Sequence, residues 1–145
     1  MILDVGCGNN PKGTVNIDVE IKHNIENFIK ADAQNLPFKT NAFSESISDH
    51  AIEHVINVEN MVAELKRVTY KKITIFTPLL FSYGFRELLK KKEQRKHKQY
   101  FLPSWFKNRG FKTKMIVAFH HPLIRNKKMV LPLPFFYIHA TIELH

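Results

Sequence analysis

The sequence predicts an α/β domain with a doubly wound, mostly parallel sheet, and three observations carry that expectation. Short apolar runs at 2–5, 14–18 and 28–32 end in a glycine turn or an acid, which is how strands of open α/β sheets meet their ligands. The first run stops at Gly6-Cys7-Gly8, a turn whose glycines lack Cβ atoms and let a ligand press against the backbone. Later, apolar residues at helical intervals precede a β-branched run, the strand and helix alternation of a parallel sheet.

Residues 2–5 read as the first strand and 14–18 as the second. Only the segment from Gly6 to Gly13 joins them, and it contains Pro11. Parallel neighbours usually need a crossover of about a dozen residues or more, so the first helix is expected to be reduced to a loop, with one sheet face left bare. The chain opens on the first strand, and N-terminal cover is expected to be reduced as well. Phe28 to Asp32 reads as a third strand. Asp32 suits a binding role or a turn cap equally well.

Ser44 to Asp49 reads as a fourth strand, weak in aliphatic residues. Ile52, Val55, Val58, Val62 and Leu65 then recur at helical spacing, so a helix is expected to open near Asp49, with Glu59, Glu64 and Lys66 facing water. Asp49 could cap that helix or line a pocket. Lys72 to Pro78 is a fifth strand stopped by proline, preceded by a turn at Val68 to Lys71. A helix is expected over 79–98, a sixth strand from Gly110-Phe111 to Phe119, and an antiparallel seventh over Phe135 to Leu144.

At 145 residues and 44% hydrophobic content, the chain has material for a single domain, 1–145, divisible into halves at 1–78 and 79–145. One cysteine, Cys7, excludes an internal disulfide and suits a reducing, cytoplasmic setting. No apolar run reaches the 18 or so residues of a membrane span, and neither secretion nor membrane spanning is expected. The formal charge of +9 and pI near 9.7 favour anionic neighbours. Much of that charge sits in the block Lys90 to Lys98, which could be a solvated face or an RNA contact. His120-His121 is rejected as a metal site, because adjacent residues of a strand point apart and no third ligand is near in sequence.

The wording "LDVGCG", then "VNIDVE" and "ADAQNLPF", resembles the first motifs of class I S-adenosylmethionine-dependent methyltransferases of the small-molecule type. "DHAIEHV" resembles the segment after their fourth strand, and Tyr100-Phe101, Trp105-Phe106 and Gly110-Phe111 fit their late segment. The resemblance implies a Rossmann-like, seven-stranded sheet with an antiparallel last strand, and S-adenosylmethionine as cofactor. It places Asp4 and the Gly6, Cys7 and Gly8 turn at the methionine end. Asp18 falls at the ribose, Asp32 and Ala33 at the adenine, and Asp49 and His50 near the methyl group. His50 is then the candidate general base for an oxygen or nitrogen acceptor.

The chain departs from the family at Ser44, where an acid is usual, and at Val68 to Lys71, where a proline and two glycines are usual. A small-molecule acceptor is expected. The reduced cover also admits a homodimer or a partner methyltransferase with this chain as a non-catalytic subunit, and the charge admits a basic RNA-binding module.

Overall fold

A computed structural model describes residues 1–21, 24–79, 97–119 and 134–144. Seven strands form one sheet: β1 (Ile2–Val5), β2 (Val15–Asp18), β3 (Phe28–Lys30), β4 (Phe43–Asp49), β5 (Thr69–Pro78), β6 (Lys112–Phe119) and β7 (Pro134–Glu143). Their spatial order is β3-β2-β1-β4-β5-β7-β6. β1 to β5 pair in parallel, whereas β7 lies antiparallel between β5 and β6. The mostly parallel, seven-stranded sheet with an antiparallel last strand is the expected one. Two helices are described, α1 (Val58–Val68) and α2 (Pro103–Lys107), besides a 3₁₀ turn at Ile52–His54.

No helix joins β1 to β2. Residues 6–14 cross back as a loop pressed against β1: the Thr14 N–H donates to the Ile2 carbonyl at 2.8 Å, and the Ile2 N–H donates to the Thr14 hydroxyl at 2.8 Å. Gly13 makes this crossing possible, because a Cβ there would stand 2.7 Å from the Asp4 nitrogen and 2.6 Å from the Val15 oxygen.

The core lies on one face of the sheet. Leu3, Val5 and Ile17 from the first strands, Ile73 and Ile75 of β5, and Ile138 and Ala140 of β7 pack with Met61, Val62, Leu65 and Val68 of α1 and Phe106 of α2. Each large aliphatic group so buried contributes about 1.5–3 kcal/mol. The opposite face alternates in polarity. Glu45, Lys72 and Glu143 stand in register across β4, β5 and β7, as do Ile47, Thr74 and Thr141. Such alternation suits a sheet packed on one side. Both described helices pack into this one core.

Several element boundaries differ from expectation. The helix foreseen from Asp49 begins at Val58, because His50 holds a left-handed φ of 55° and Val55 and Asn57 are extended. Asn57 is the cap, its side chain accepting the Asn60 N–H at 3.1 Å, so Asp49 does not cap this helix. Ile52 is nonetheless fully buried, from the 3₁₀ turn. No separate turn precedes β5. The chain passes from Val68 in α1 directly to Thr69 in the strand, whose hydroxyl lies 2.5 Å from that of buried Ser46. The helix expected over 79–98, Tyr83, most of the Lys90 to Lys98 block, His120-His121 and the Leu131 to Leu133 stretch lie outside the described residues.

Glu64 and Lys66 do not simply face water. Glu64 accepts the Leu36 N–H at 2.6 Å and pairs with Arg67, which donates to the Phe38 carbonyl at 2.6 Å and the Leu36 carbonyl at 3.0 Å. The hydrogen bonds from Arg67 hold the Glu64 carboxyl below its usual range. This pair clamps the loop after β3 onto α1. Lys66 donates to the Arg109 carbonyl at 3.1 Å and lies over the Phe111 ring.

Candidate functional site

The carboxyl ends of β1, β2 and β4 open into two adjoining cavities that share Gly6, Gly8 and His50. The smaller, about 390 Å³, is lined by Asp4, Cys7, Asn9, Asn10, Lys12 and Asp49 besides the shared residues. The larger, about 590 Å³, includes Asp18, Val19, Asp32, Ala33, Gln34, Ala51 and His54. Every residue singled out in the sequence as a cofactor or catalytic candidate lines one cavity or the other.

The wall between them is made by the glycine turn. Gly6 has a φ of 75°, and a Cβ on it would overlap the Cβ of Ala51, so only glycine fits where the β1 turn meets the chain leaving β4. The Gly6 and Cys7 N–H groups donate to the Ile17 carbonyl at 2.9 and 3.0 Å, fixing the turn to β2. Cys7 is buried at its centre.

In the larger cavity, Asp18 accepts the Gly8 N–H at 3.0 Å on one carboxylate oxygen and the Glu20 N–H at 3.0 Å on the other. Each oxygen keeps a further lone pair for a ligand hydroxyl. Asp32 accepts the Gln34 N–H at 2.9 Å and its side-chain amide at 3.0 Å, and Gln34 in turn accepts the Asn57 N–H at 2.8 Å. The loop carrying Asp32 and Ala33 is thereby tied to the cap of α1.

The smaller cavity brings Asp4, Lys12, Asp49 and His50 together. Burial pushes the Asp4 carboxyl up, partly offset by the Lys12 N–H, which donates to it at 2.7 Å, and by the Lys12 charge. Lys12 also bonds the carboxylate of Asp49 through Nζ, and Asp49 Oδ1 lies 2.6 Å from His50 Nδ1. Burial opposes ionisation of Asp49, but the hydrogen bonds from Lys12 and His50 outweigh it and hold its carboxyl low. His50 is kept in its left-handed conformation by its N–H, which donates to the Phe76 carbonyl at 3.0 Å, and by edge-to-face contact with Tyr137 at 5.3 Å. With Nδ1 turned to Asp49, Nε2 is available to a substrate proton, the arrangement by which a carboxylate orients a catalytic imidazole.

Three features were not legible in the sequence. Lys12 follows an ordinary loop proline, and its partner Asp49 lies 37 residues away. Gln34 carries no motif of its own. The third feature is a cluster bordering the larger cavity in which Glu53, His54 and His97 each bring a ligand atom within 4.8 Å of the others.

A family model described as a methyltransferase domain matches residues 14–72. No curated protein matches the sequence. Among solved structures, a SAM-dependent methyltransferase of Thermotoga maritima superposes with a TM-score of 0.68 at 19% identity, over 97% of this chain and 81% of that one. A Bacillus halodurans protein gives a TM-score of 0.74 at 15% identity over 98% and 91% of the two chains. A SAM-dependent methyltransferase of Archaeoglobus fulgidus gives 0.65 at 17% identity over 97% and 85%. The sheet order and its antiparallel strand are therefore those of a known fold.

Proposed function

We propose that this chain, which has the fold of the class I S-adenosylmethionine-dependent methyltransferases and matches their domain model over residues 14–72, transfers a methyl group to an oxygen or nitrogen of a small molecule. S-adenosylmethionine is the cofactor that this fold and domain imply. One observation supports the reading above the rest: two cavities that share Gly6, Gly8 and His50 meet at a glycine turn, at the carboxyl ends of the strands. A nucleoside with a zwitterionic tail has two such parts, one for each cavity.

In this reading the larger cavity takes the adenosine. Asp18 accepts from the ribose hydroxyls, and Asp32 with the Ala33 N–H borders the adenine. The smaller cavity takes the methionine end, where Asp4 faces the ammonium and Lys12 turns from Asp49 toward the carboxylate. Gly6 and Gly8 allow the chain between the two groups to lie against backbone.

When bound, the cofactor supplies an electrophilic methyl group on a sulfonium. The protein's work is then to hold an acceptor in line with that methyl group and to remove its proton. His50 borders both cavities and is the base, with Asp49 fixing its ring. Calorimetric titration of the full chain with S-adenosylmethionine and S-adenosylhomocysteine tests the reading. Micromolar binding of both is expected, and no binding of either would overturn it.

A further inference from the structure

Glu53 is an acid where the fold has no evident use for one. The residue is 2% exposed, and one carboxylate oxygen, Oε2, accepts the Thr77 hydroxyl at 3.0 Å. The other, Oε1, is buried with no hydrogen-bond partner among the described residues. A buried carboxylate oxygen left without a donor is costly and calls for an unseen water or cation.

The surroundings favour a cation. His54 follows Glu53 on the 3₁₀ turn, and His97 is brought to the same place by the backbone: the Glu53 carbonyl accepts the Lys98 N–H at 2.8 Å and the Gln99 N–H at 3.0 Å. The two imidazoles meet edge to face with centroids 5.0 Å apart. One carboxylate oxygen and two ring nitrogens lie within 4.8 Å of one another. Donors around an ion at bonds of about 2.0–2.2 Å stand roughly 3.3 Å apart, a contraction that side-chain rotation can supply.

We propose that Glu53, His54 and His97 form a binding site for a first-row divalent metal ion beside the larger cavity. Two imidazoles and one carboxylate are a donor set suited to zinc, iron, cobalt or nickel, and less suited to calcium or magnesium, which prefer all-oxygen cages. Three protein ligands leave positions open, as in sites where a metal meets a substrate. His54 also lines the larger cavity, so the ion borders the cleft. Resting on the proposed function, the open positions are those an oxygen-bearing acceptor would occupy, which makes a hydroxyl compound the substrate class.

The test is titration of the metal-free full chain with Co(II), read by its visible ligand-field absorption, followed by competition with Zn(II). Saturation at one ion per chain and displacement by Zn(II) are expected. His97→Ala and His54→Ala should each lose more than the roughly 10-fold that removing an outer partner of a ligand costs. Glu53→Gln should do the same, and the two histidine variants keep the test sound if that buried substitution impairs folding. Absence of saturable binding, or unchanged affinity in both histidine variants, would overturn the site. S-adenosylhomocysteine binding, measured on the same samples, reads the cofactor cavity separately. Cobalt binding without it would uphold the metal site and remove only the acceptor class.

Discussion

The Gly8 N–H donates to Asp18 Oδ2 at 3.0 Å, so the turn that ends β1 and the acid that ends β2 are a single hydrogen-bonded unit. Asp18 both shapes the glycine turn and presents its remaining lone pairs to the larger cavity.

Asp18→Ala should therefore weaken binding of S-adenosylmethionine and S-adenosylhomocysteine by roughly 10- to 100-fold, the usual cost of hydrogen bonds to a charged group. Calorimetry on the variant measures this, and its melting curve should show that it remains folded. Equal affinity for both ligands before and after substitution would take Asp18 out of the site.

Gly6→Ala acts on shape. The new methyl would overlap the Ala51 Cβ and force alanine to a φ of 75°, with a cost of about 1–3 kcal/mol for the backbone alone. Thermal denaturation should show the loss. Adding Ala51→Gly should recover only the part due to overlap, since the backbone strain stays.

Asp4 is expected to trade stability for binding. Burial raises its carboxyl pKa in the folded chain. Its contribution to stability is thus full at low pH, below the unfolded-state value, and is lost as pH rises through the folded-state value. At neutral pH the charged form is a burden to the fold. Asp4→Asn can still accept the Lys12 N–H, so it should melt higher at pH 7 while binding the cofactor less well.

Asp49 has the opposite sign. Against the opposing effect of burial, Lys12 and His50 hold its carboxyl low. Its stabilising contribution is present above the unfolded-state value and disappears as pH falls through the lower folded-state value. Lys12→Met removes one of the two partners, and the acid limb of stability against pH should move to higher pH. A curve superimposable on that of the unsubstituted chain would show that the Lys12 to Asp49 pair is too exposed to matter.

His50→Asn separates chemistry from binding. Loss of a general base costs typically about 10²–10⁴ in rate, while S-adenosylhomocysteine affinity should change little. Turnover with an acceptor, once found, reads the first quantity, and calorimetry the second.

The strands and the glycine turn were legible because their signals are local: a β-branched run or a Gly-x-Gly needs no distant partner to be recognised. The start of α1 was not. Ile52 and Val55 stand three apart like helical neighbours, yet His50 at φ 55° and the Asn57 cap divide the segment into a 3₁₀ turn and a later helix. Glu64 reads as solvent-facing on any helical projection, and its task is set by Leu36, 28 residues earlier. Lys12 was missed for the same reason, and so was the cluster of Glu53, His54 and His97. Each depends on a contact between segments that carry no common pattern.

The loop that replaces the first helix changes the kind of positive charge the site can offer. A helix opening after a glycine turn would present a fixed fractional charge from aligned peptide dipoles, which no side-chain substitution removes. Here residues 6–14 form no helix, and the described cation at that end of the cleft is Lys12, a whole charge on a jointed arm already shared with Asp49. Such a charge is mobile, competes for its partner and is screened by salt. Ligand retention at this end is thus vested in a single replaceable side chain, and a change at position 12 could retune which tail the cleft prefers without disturbing the sheet.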